Sequence, residues 1–192
     1  MKCLVCDSPT GLGGCRGRSP KYCSNSCKQR AYRERLKNDA HHSTSSNGAP
    51  YPLAMTSVPN WVCADGKRPI QVDGSPASST MPSTWSSFAE VLASNAGDGY
   101  GFMLGHGSGI GCHDLDNAFN DAGRLEPWAV DVLAAIESPI FAEVSQSGRG
   151  LHVFVHAVEV RGFRRSMPNG GGHEFYSRGR FIRTTGNVWS WF

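Results

Sequence analysis

Four of the seven cysteines have the spacing of a tetrahedral metal site near the start of the chain. They form a Cys-x2-Cys pair and a Cys-x3-Cys pair, sixteen residues apart. Thiolates are the usual ligands of structural zinc, and a segment with so few large apolar residues needs a metal to fold. The pattern predicts one closed Zn²⁺ site and leaves Cys15, between the pairs, outside it. The predicted ligands are Cys3, Cys6, Cys23 and Cys27.

A second set of possible metal ligands is acidic. Asp114 and Asp116 end the run IGCHDLD, whose alternation predicts a β-strand. Residues two apart on a strand point to the same side, so the two carboxylates would repel each other unless a divalent cation lay between them. Turn chemistry at the end of a strand also explains the pattern. Glu174, near the start of HEFY, could supply a third carboxylate, although an exposed strand residue fits as well.

The segment SQSGRG, residues 145–150, could bind an anion between two β-rich runs. Its glycines allow backbone amides to face a phosphate, and Ser147 and Arg149 add side-chain donors. His152 is the first polar residue of the following run, and His156 is in phase with it. A tight hairpin with a buried histidine is the alternative explanation.

These residues must be positioned by a mixed α/β fold. A helix is predicted over Ser83–Ser94, with Trp85, Phe88, Val91 and Leu92 on one face, and a second helix over residues 124–137. Strands are predicted on either side of GHGSG and on either side of SQSGRG. Two further β-rich runs, in HEFYSRGRFIRTTGN, are predicted to pair with each other across SRG.

The charge is unevenly distributed along the chain. Residues 1–37 hold nine Lys or Arg and two acidic residues, a net charge of +7, whereas the remainder has a net charge of −4. Clustered cations bind the phosphate backbone of a nucleic acid, although a solvated basic helix would have the same composition. The run CKQRAYRERLK predicts such a helix directly after the second cysteine pair.

We therefore predict a zinc-binding basic module at residues 1–37, a linker at residues 38–57 and a core domain at residues 58–192. No run approaches the roughly 18 apolar residues of a membrane span, and the N-terminus does not have the pattern of a signal peptide. The expected location is the cytoplasm, or the host cytoplasm if a phage encodes the chain, with no membrane partner.

The order of the motifs from about Trp61 onward resembles that of a known family. AspxAsp, then SxSGxGxH, then Glu ahead of YxxGRFxxTTGN is similar to primase-polymerases of the archaeo-eukaryotic primase superfamily, in the phage and plasmid branch. The stretch GKRPIQVDGSPASSTMPSTWSSFAEVL resembles the segment that precedes the catalytic centre in that family. The resemblance implies an α/β (α+β) catalytic core related to the RNA-recognition motif, with carboxylates on an antiparallel sheet.

The resemblance also implies an activity and its residues. Template-dependent nucleotidyl transfer, in primer synthesis or DNA extension, would use Asp114, Asp116 and Glu174 as catalytic ligands of two Mg²⁺ or Mn²⁺ ions. The nucleotide-binding residues implied by the second motif and the following arginine are Ser147, Gly148, Arg149, Gly150, His152 and Arg180.

The expected partners are a single-stranded DNA template and nucleoside triphosphates, with a replicative helicase or a separate C-terminal polypeptide as a further partner. The chain ends soon after the third motif, where relatives in this family continue, so the core is expected to be short at its C-terminus. Two other functions stay open. One is an inactive or split primase-derived factor that binds single-stranded DNA, and the other is a metal-dependent nuclease.

Overall fold

The computed structural model describes residues 2–10, 21–24, 27 and 50–190. The chain divides into two compact units, residues 1–50 and 51–192. In the described part of the first unit, the Cys3 amide donates to the Ser8 carbonyl, and the Leu4 amide donates to the Lys21 carbonyl. The second contact joins the two cysteine-bearing segments. Cys15 and the predicted basic helix lie outside the described residues.

The second unit is a mixed α/β structure with two antiparallel sheets and few helices, which confirms the predicted class at this level. The elements are α1 (Leu53–Thr56), β1 (Trp61–Asp65), β2 (Arg68–Ile70), α2 (Phe88–Ala93), β3 (Gly99–Leu104), β4 (Ile110–Asp116), α3 (Pro127–Ala134), β5 (Pro139–Val144), β6 (Leu151–His156), β7 (Phe163–Met167), β8 (Gly171–Tyr176) and β9 (Arg180–Thr184). One sheet has four strands in the order β2-β1-β3-β9, and the other has five in the order β5-β6-β4-β8-β7.

One face of the five-stranded sheet carries an apolar cluster that packs against α3. Leu115, Leu151 and Val153 alternate with the polar residues of their strands and are fully buried there. Trp128 of α3 covers them, and Pro127 at the first position of the helix sets its start. Burying this face fixes the register of the strands, because a slip of one residue would expose every apolar side chain.

The opposite face of the five-stranded sheet packs partly against the four-stranded sheet. Trp61 of β1 is fully buried among aromatic rings, with its ring centroid 4.5 Å from that of Phe88 and 5.3 Å from that of Phe102. Phe102 in turn lies 6.2 Å from Phe154 of β6, which joins the two sheets. This aromatic contact closes one part of the space between the sheets, while a cleft lined by polar and apolar residues occupies another part.

The first predicted helix is shorter than the sequence indicates. It begins at Phe88, because Ser87 and Glu90 form a capping box in which each side chain accepts from the other residue's amide. Trp85 precedes the helix and is buried, whereas Leu92 is half exposed. Trp85 therefore packs through its own loop and is not on a helical face.

The last residues of the predicted linker, 51–57, include regular structure, the helix α1. Residues 51–57 belong to the larger unit, with Tyr51 and Met55 buried and the Met55 carbonyl accepting from the Trp61 indole at 2.9 Å. A run without apolar periodicity is thus part of the core because a few large side chains fill gaps between longer elements. Residues 38–49 of the predicted linker lie outside the described ranges.

The last two strands pair differently from the prediction. The runs around HEFY and RFIRT do not form a hairpin across SRG, since β8 pairs with β4 and β7 while β9 pairs with β3 in the other sheet. Beyond β9 the chain follows β5, where the Val144 amide donates to the Asn187 carbonyl at 2.8 Å. Trp189 packs against the apolar cluster under the five-stranded sheet.

Candidate functional site

A row of polar residues crosses the five-stranded sheet on the face turned toward the four-stranded sheet. The register places Asp114 of β4 directly opposite His152 of β6 and Glu174 of β8. The row continues with Glu143 of β5 beyond His152 and with Arg164 of β7 beyond Glu174. Side chains directly opposite each other in antiparallel strands share one face, so five strands contribute one neighbouring residue each.

Glu143 is fully buried at one end of this row and fully hydrogen-bonded. Its carboxylate accepts from His152 Nδ1 at 3.0 Å and from the amides of Thr185 and Gly186, both at 2.9 Å. The amide donors come from the TTGN segment that follows β9. Glu143 was not among the predicted site residues, although an acidic residue inside the apolar run FAEV, on a strand adjacent to that of His152, is a signal for it.

His152 is oriented by this contact. Because a carboxylate only accepts, Nδ1 of His152 carries the proton, and Nε2 is directed toward Asp114, with 3.8 Å between Nε2 and Oδ1. Burial favours the neutral ring, but the hydrogen bond and charge of Glu143, with the charge of Asp114, raise the pKa of His152. The predicted phosphate-binding histidine is thus held in a geometry and an environment that favour donation.

Asp114 and Asp116 lie on the same side of β4, two residues apart at its end. The side chain of Asp114 is 17% exposed, while Asp116 is exposed. Burial raises the pKa of the Asp114 carboxyl group, His152 opposes this rise, and the charges of Asp116 and Glu174 add to it. Negative charge is therefore crowded at this end of the sheet.

Glu174, the third predicted carboxylate, has more hydrogen-bond and ion-pair partners than Asp114 or Asp116. It accepts from Arg164 Nε and from the Tyr176 hydroxyl, and Arg180 lies 3.7 Å away. The Arg180 guanidinium also stacks on the Tyr176 ring, 4.5 Å from its centroid. Two arginines thus balance the charge of Glu174, and of these only Arg180 was predicted as a site residue.

The SQSGRG loop is a compact turn between β5 and β6. The Ser145 amide donates to the Gly150 carbonyl, and the Gly148 amide donates to the Ser145 carbonyl, both at 2.9 Å. Gly148 has a φ of +75°, which favours glycine, and a Cβ on Gly150 would lie 2.7 Å from the Leu115 carbonyl. The two glycines are therefore required by the turn itself, whether or not it binds an anion.

The two sheets enclose a cleft of about 580 Å³ beside Asp114, a size typical of small-ligand sites. Of the predicted nucleotide-binding residues, Ser147, His152 and Arg180 line it. Arg149 does not line it and forms an ion pair with Asp121 at 2.9 Å. Lys67 also lines the cleft and was missed, although it belongs to the Lys-x-Pro of the segment that precedes the catalytic motifs.

The cysteines of the first unit form a second candidate site. The sulfurs of Cys6, Cys23 and Cys27 lie 3.4–3.5 Å apart, and the ligand atoms of all four predicted cysteines lie within 4.8 Å of one another. Tetrahedral zinc with bonds of about 2.3 Å would separate its sulfurs by about 3.8 Å. Four cysteines this close together can bind a metal such as zinc.

The carboxylates are less tightly grouped than the cysteines. Within the described ranges, the four cysteines are the set of three or more His, Cys, Asp or Glu side chains whose ligand atoms lie this close together. Asp114, Asp116 and Glu174 share a face and adjoining positions but do not form such a set. They line neighbouring space, with Asp114 and Asp116 in the cleft and Glu174 beside it.

Comparisons with known proteins leave the family open: no family model matches the chain, and no curated protein matches it. Across the described residues, no helix is both long and apolar enough to cross a membrane. Function must therefore be argued from the site.

Proposed function

We propose that this protein is a template-dependent nucleotidyltransferase, a DNA primase/polymerase that synthesises or extends primers. The cleft beside Asp114 carries this proposal. Residues from three separate motifs line this one space: the carboxylates of Asp114 and Asp116, the donors Ser147 and His152, and the guanidinium of Arg180. Carboxylates next to phosphate-binding donors are the groups that nucleotidyl transfer requires.

The donors of the cleft suit the triphosphate of an incoming nucleotide. Lys67 and Arg180 bring positive charge, and His152 Nε2 lies on the cleft side of a ring whose other nitrogen is bound to Glu143. Charged donors form the stronger hydrogen bonds to phosphate oxygens. We infer that Lys67, His152 and Arg180 bind the triphosphate, and that Glu143 acts through His152 as a positioning residue.

The three carboxylates fit a hard divalent cation, because oxygen donors on one face are what Mg²⁺ and Mn²⁺ bind. The raised pKa of Asp114, caused first by burial and in part by Asp116 and Glu174, marks negative charge that a cation would stabilise. When bound, two such ions would lower the pKa of a 3′-hydroxyl group and stabilise the leaving pyrophosphate. Asp114, Asp116 and Glu174 are the residues that would hold them.

The proposed reaction is an in-line displacement at phosphorus. The 3′-oxygen of the growing strand forms a bond to the α-phosphorus, and the bond from that phosphorus to the β-phosphate oxygen breaks. Pyrophosphate leaves with the electron pair, and the hydroxyl proton passes to solvent. Lys67 and Arg180 bind the phosphates as charge develops on them, which is the larger part of catalysis in phosphoryl transfer.

The fold and the first unit are compatible with this function. An antiparallel sheet with carboxylates on its central strand agrees with the resemblance to the archaeo-eukaryotic primase superfamily, and the RNA-recognition-type core is part of the proposal. The four cysteines would bind one structural Zn²⁺, and the basic segment of residues 1–37 would contact the phosphates of a single-stranded DNA template.

One observation favours a second candidate function. Glu174 is already balanced by Arg164 and Arg180, and the three carboxylates do not form a tight group. A primase-derived factor that binds single-stranded DNA without catalysis would have this arrangement. The lining of the cleft by Asp114 and Asp116 favours the enzyme, because two like charges on one strand face are costly unless a cation lies between them.

The test is synthesis by the full-length protein on single-stranded DNA, with labelled nucleotides, Mg²⁺ or Mn²⁺, and products resolved on a sequencing gel. We expect metal-dependent products with and without a primer, and Asp114→Asn to lower the rate by at least about a hundredfold. Asp131→Asn is the matched control, since Asp131 is exposed on α3. DNA binding without synthesis by the wild-type protein would select the binding factor instead.

A further inference from the structure

A second cleft lies on the other side of Asp116. It has a volume of about 450 Å³ and is formed by the end of β4, by β7 and by the turn before β8. Asp116 lines both clefts, while Glu174 and Arg164 line only this one. The carboxylates therefore stand between two separate spaces, and the function proposed above uses only the first of them.

The position of the second cleft, next to the same carboxylates as the first, suggests what it binds. Nucleotidyl transfer brings two phosphate-bearing partners to the same carboxylates, and the first cleft already has the donors for the triphosphate. We infer that the second cleft binds the 3′-terminal segment of the primer strand through its phosphate backbone, with Arg164 as the principal contact. This inference rests on the proposed function, and it names the site of the second substrate.

Arg164 has the geometry for this contact. Its Nε donates to Glu174, which fixes the guanidinium at the cleft, while 73% of its side-chain surface stays exposed. Its terminal N–H groups remain available for a phosphate, and a guanidinium can bind two phosphate oxygens at once. One face of the group thus contacts the carboxylate of the reaction centre and the rest is open to a strand.

The walls around Arg164 allow close approach of a backbone. Residues 170–172 are all glycine, and a Cβ on Gly172 would lie 3.5 Å from the Asp116 Cβ, in the space beside that carboxylate. Asn117 fixes this turn by donating to the Gly170 carbonyl at 3.0 Å. The turn is therefore held in place and lacks side chains on the side where a strand would lie.

Positive charge extends the cleft along the edge of the sheet. β7 is the edge strand, and it carries Arg164 and Arg165, with Arg161 two residues before it; all three are exposed. Arg165 stacks on the Phe163 ring at 4.5 Å, on the opposite face of the strand from Arg164. Exposed cations along a strand edge beside a cleft add the positive charge with which proteins bind the backbone of a single nucleic-acid strand.

The test compares Arg164→Gln with Arg124→Gln in the full-length protein, since Arg124 is an exposed arginine that lines neither cleft. Binding of a fluorescent primed template is measured by anisotropy without added Mg²⁺ or Mn²⁺ and without chelator, across a series of NaCl concentrations. We expect Arg164→Gln to weaken binding roughly tenfold. The negative slope of log K against log [NaCl] should become shallower by about 0.7–0.9, the value for one lost phosphate contact. Arg164→Lys should recover part of both losses.

Two further arms make the result specific. The loss should be smaller on the same template without its primer, and in extension assays the KM for primed template should rise while the KM for nucleotide stays within about twofold. Equal binding by Arg164→Gln and wild type, or an equal loss on unprimed template, would overturn the inference. Absence of synthesis by the wild-type protein would instead overturn the proposed polymerase activity. A weaker affinity of Arg164→Gln for primed template would still establish that the second cleft binds a nucleic-acid strand.

Discussion

The two candidate metal sites of this protein are built in opposite ways. The four cysteines come from two short segments whose ligand atoms already lie within 4.8 Å of one another. The carboxylates come from β4 and β8, sixty residues apart in sequence between Asp114 and Glu174, and are brought together only by strand register. One site is a compact cluster of four cysteine sulfurs, and the other is an open row shared with arginines and a histidine.

This difference separates structural from reactive chemistry. A closed set of four ligands satisfies a metal and leaves no position for a substrate, so its role is to hold a small unit together. The open row has neighbours that can exchange partners, because Arg164, Arg180 and His152 each contact a carboxylate and also line a cleft. Catalysis requires this second kind of site, at the cost of crowded charge.

The largest expected effect removes the closed site. Cys6→Ser should lose essentially all bound zinc, because a structural site depends on every ligand, whereas Cys15→Ser should keep one ion per chain. The measurement is metal content by atomic spectroscopy after desalting. Loss of zinc in both variants would place Cys15 among the ligands, and no zinc in the wild type would remove the metal assignment.

The same variants sharpen the comparison between the two units. Thermal unfolding of Cys6→Ser should keep the main transition of residues 51–192, because the aromatic and aliphatic core of that unit contains none of the four cysteines. Extension of a primed template should fall through weaker template binding, with the KM for nucleotide unchanged. A large rise in that KM would contradict the separation of roles.

The next effect concerns the orientation of His152. Glu143→Gln keeps the size of the side chain but removes its charge, so Nδ1 of His152 loses an anionic acceptor and the pKa of the ring loses the largest of the interactions that raise it. We expect the KM for nucleotide to rise roughly tenfold, the effect of one charge-assisted hydrogen bond, with a smaller change in kcat. Steady-state extension at saturating primed template measures both constants.

A double-mutant cycle tests whether Glu143 acts through His152. If it does, Glu143→Gln should add little to the effect of His152→Gln, whereas additive losses would assign Glu143 a purely structural role. Glu137→Gln, at an exposed position shortly before β5, is the matched control. Melting temperatures of the wild type, the two single variants and the double variant separate loss of binding from loss of fold. This check is needed because Glu143 also accepts from Thr185 and Gly186.

Local patterns in the sequence predicted the elements well and the pairings less well. The strands of IGCHDLD and on either side of SQSGRG are confirmed because buried alternation and glycine turns are local properties. The assignment of RFIRT to the other sheet was not predictable, because it depends on packing of β9 against β3. Glu143 and Arg164 were missed for the same reason, since the role of each depends on the residue opposite it on the neighbouring strand, His152 or Glu174.

The smallest expected effect is on stability and concerns two histidines of the five-stranded sheet, on the face away from the carboxylates. His113 Nδ1 and His173 Nε2 are 3.0 Å apart, beside the Phe175 ring, and Arg165 is the charged group near His173. Burial, and then the neighbouring His173, lower the pKa of His113 to about 4. The unfolded chain, with a histidine pKa of about 6.5, takes up protons that the folded chain does not, so stability falls as the pH drops from about 6.5 toward 4.

His113→Gln removes one of these titrating groups and keeps a side chain that can hydrogen-bond to His173. The melting temperature of the wild type should fall more than that of the variant between pH 7.5 and pH 5, by about 2–4 °C for an effect of about 1 kcal/mol. His156→Gln, at the exposed end of β6, should follow the wild type. Parallel pH profiles for all three proteins would show that the pair titrates alike in both states. A selective change, with nucleotide KM unaltered, would show that the two faces of this sheet act independently.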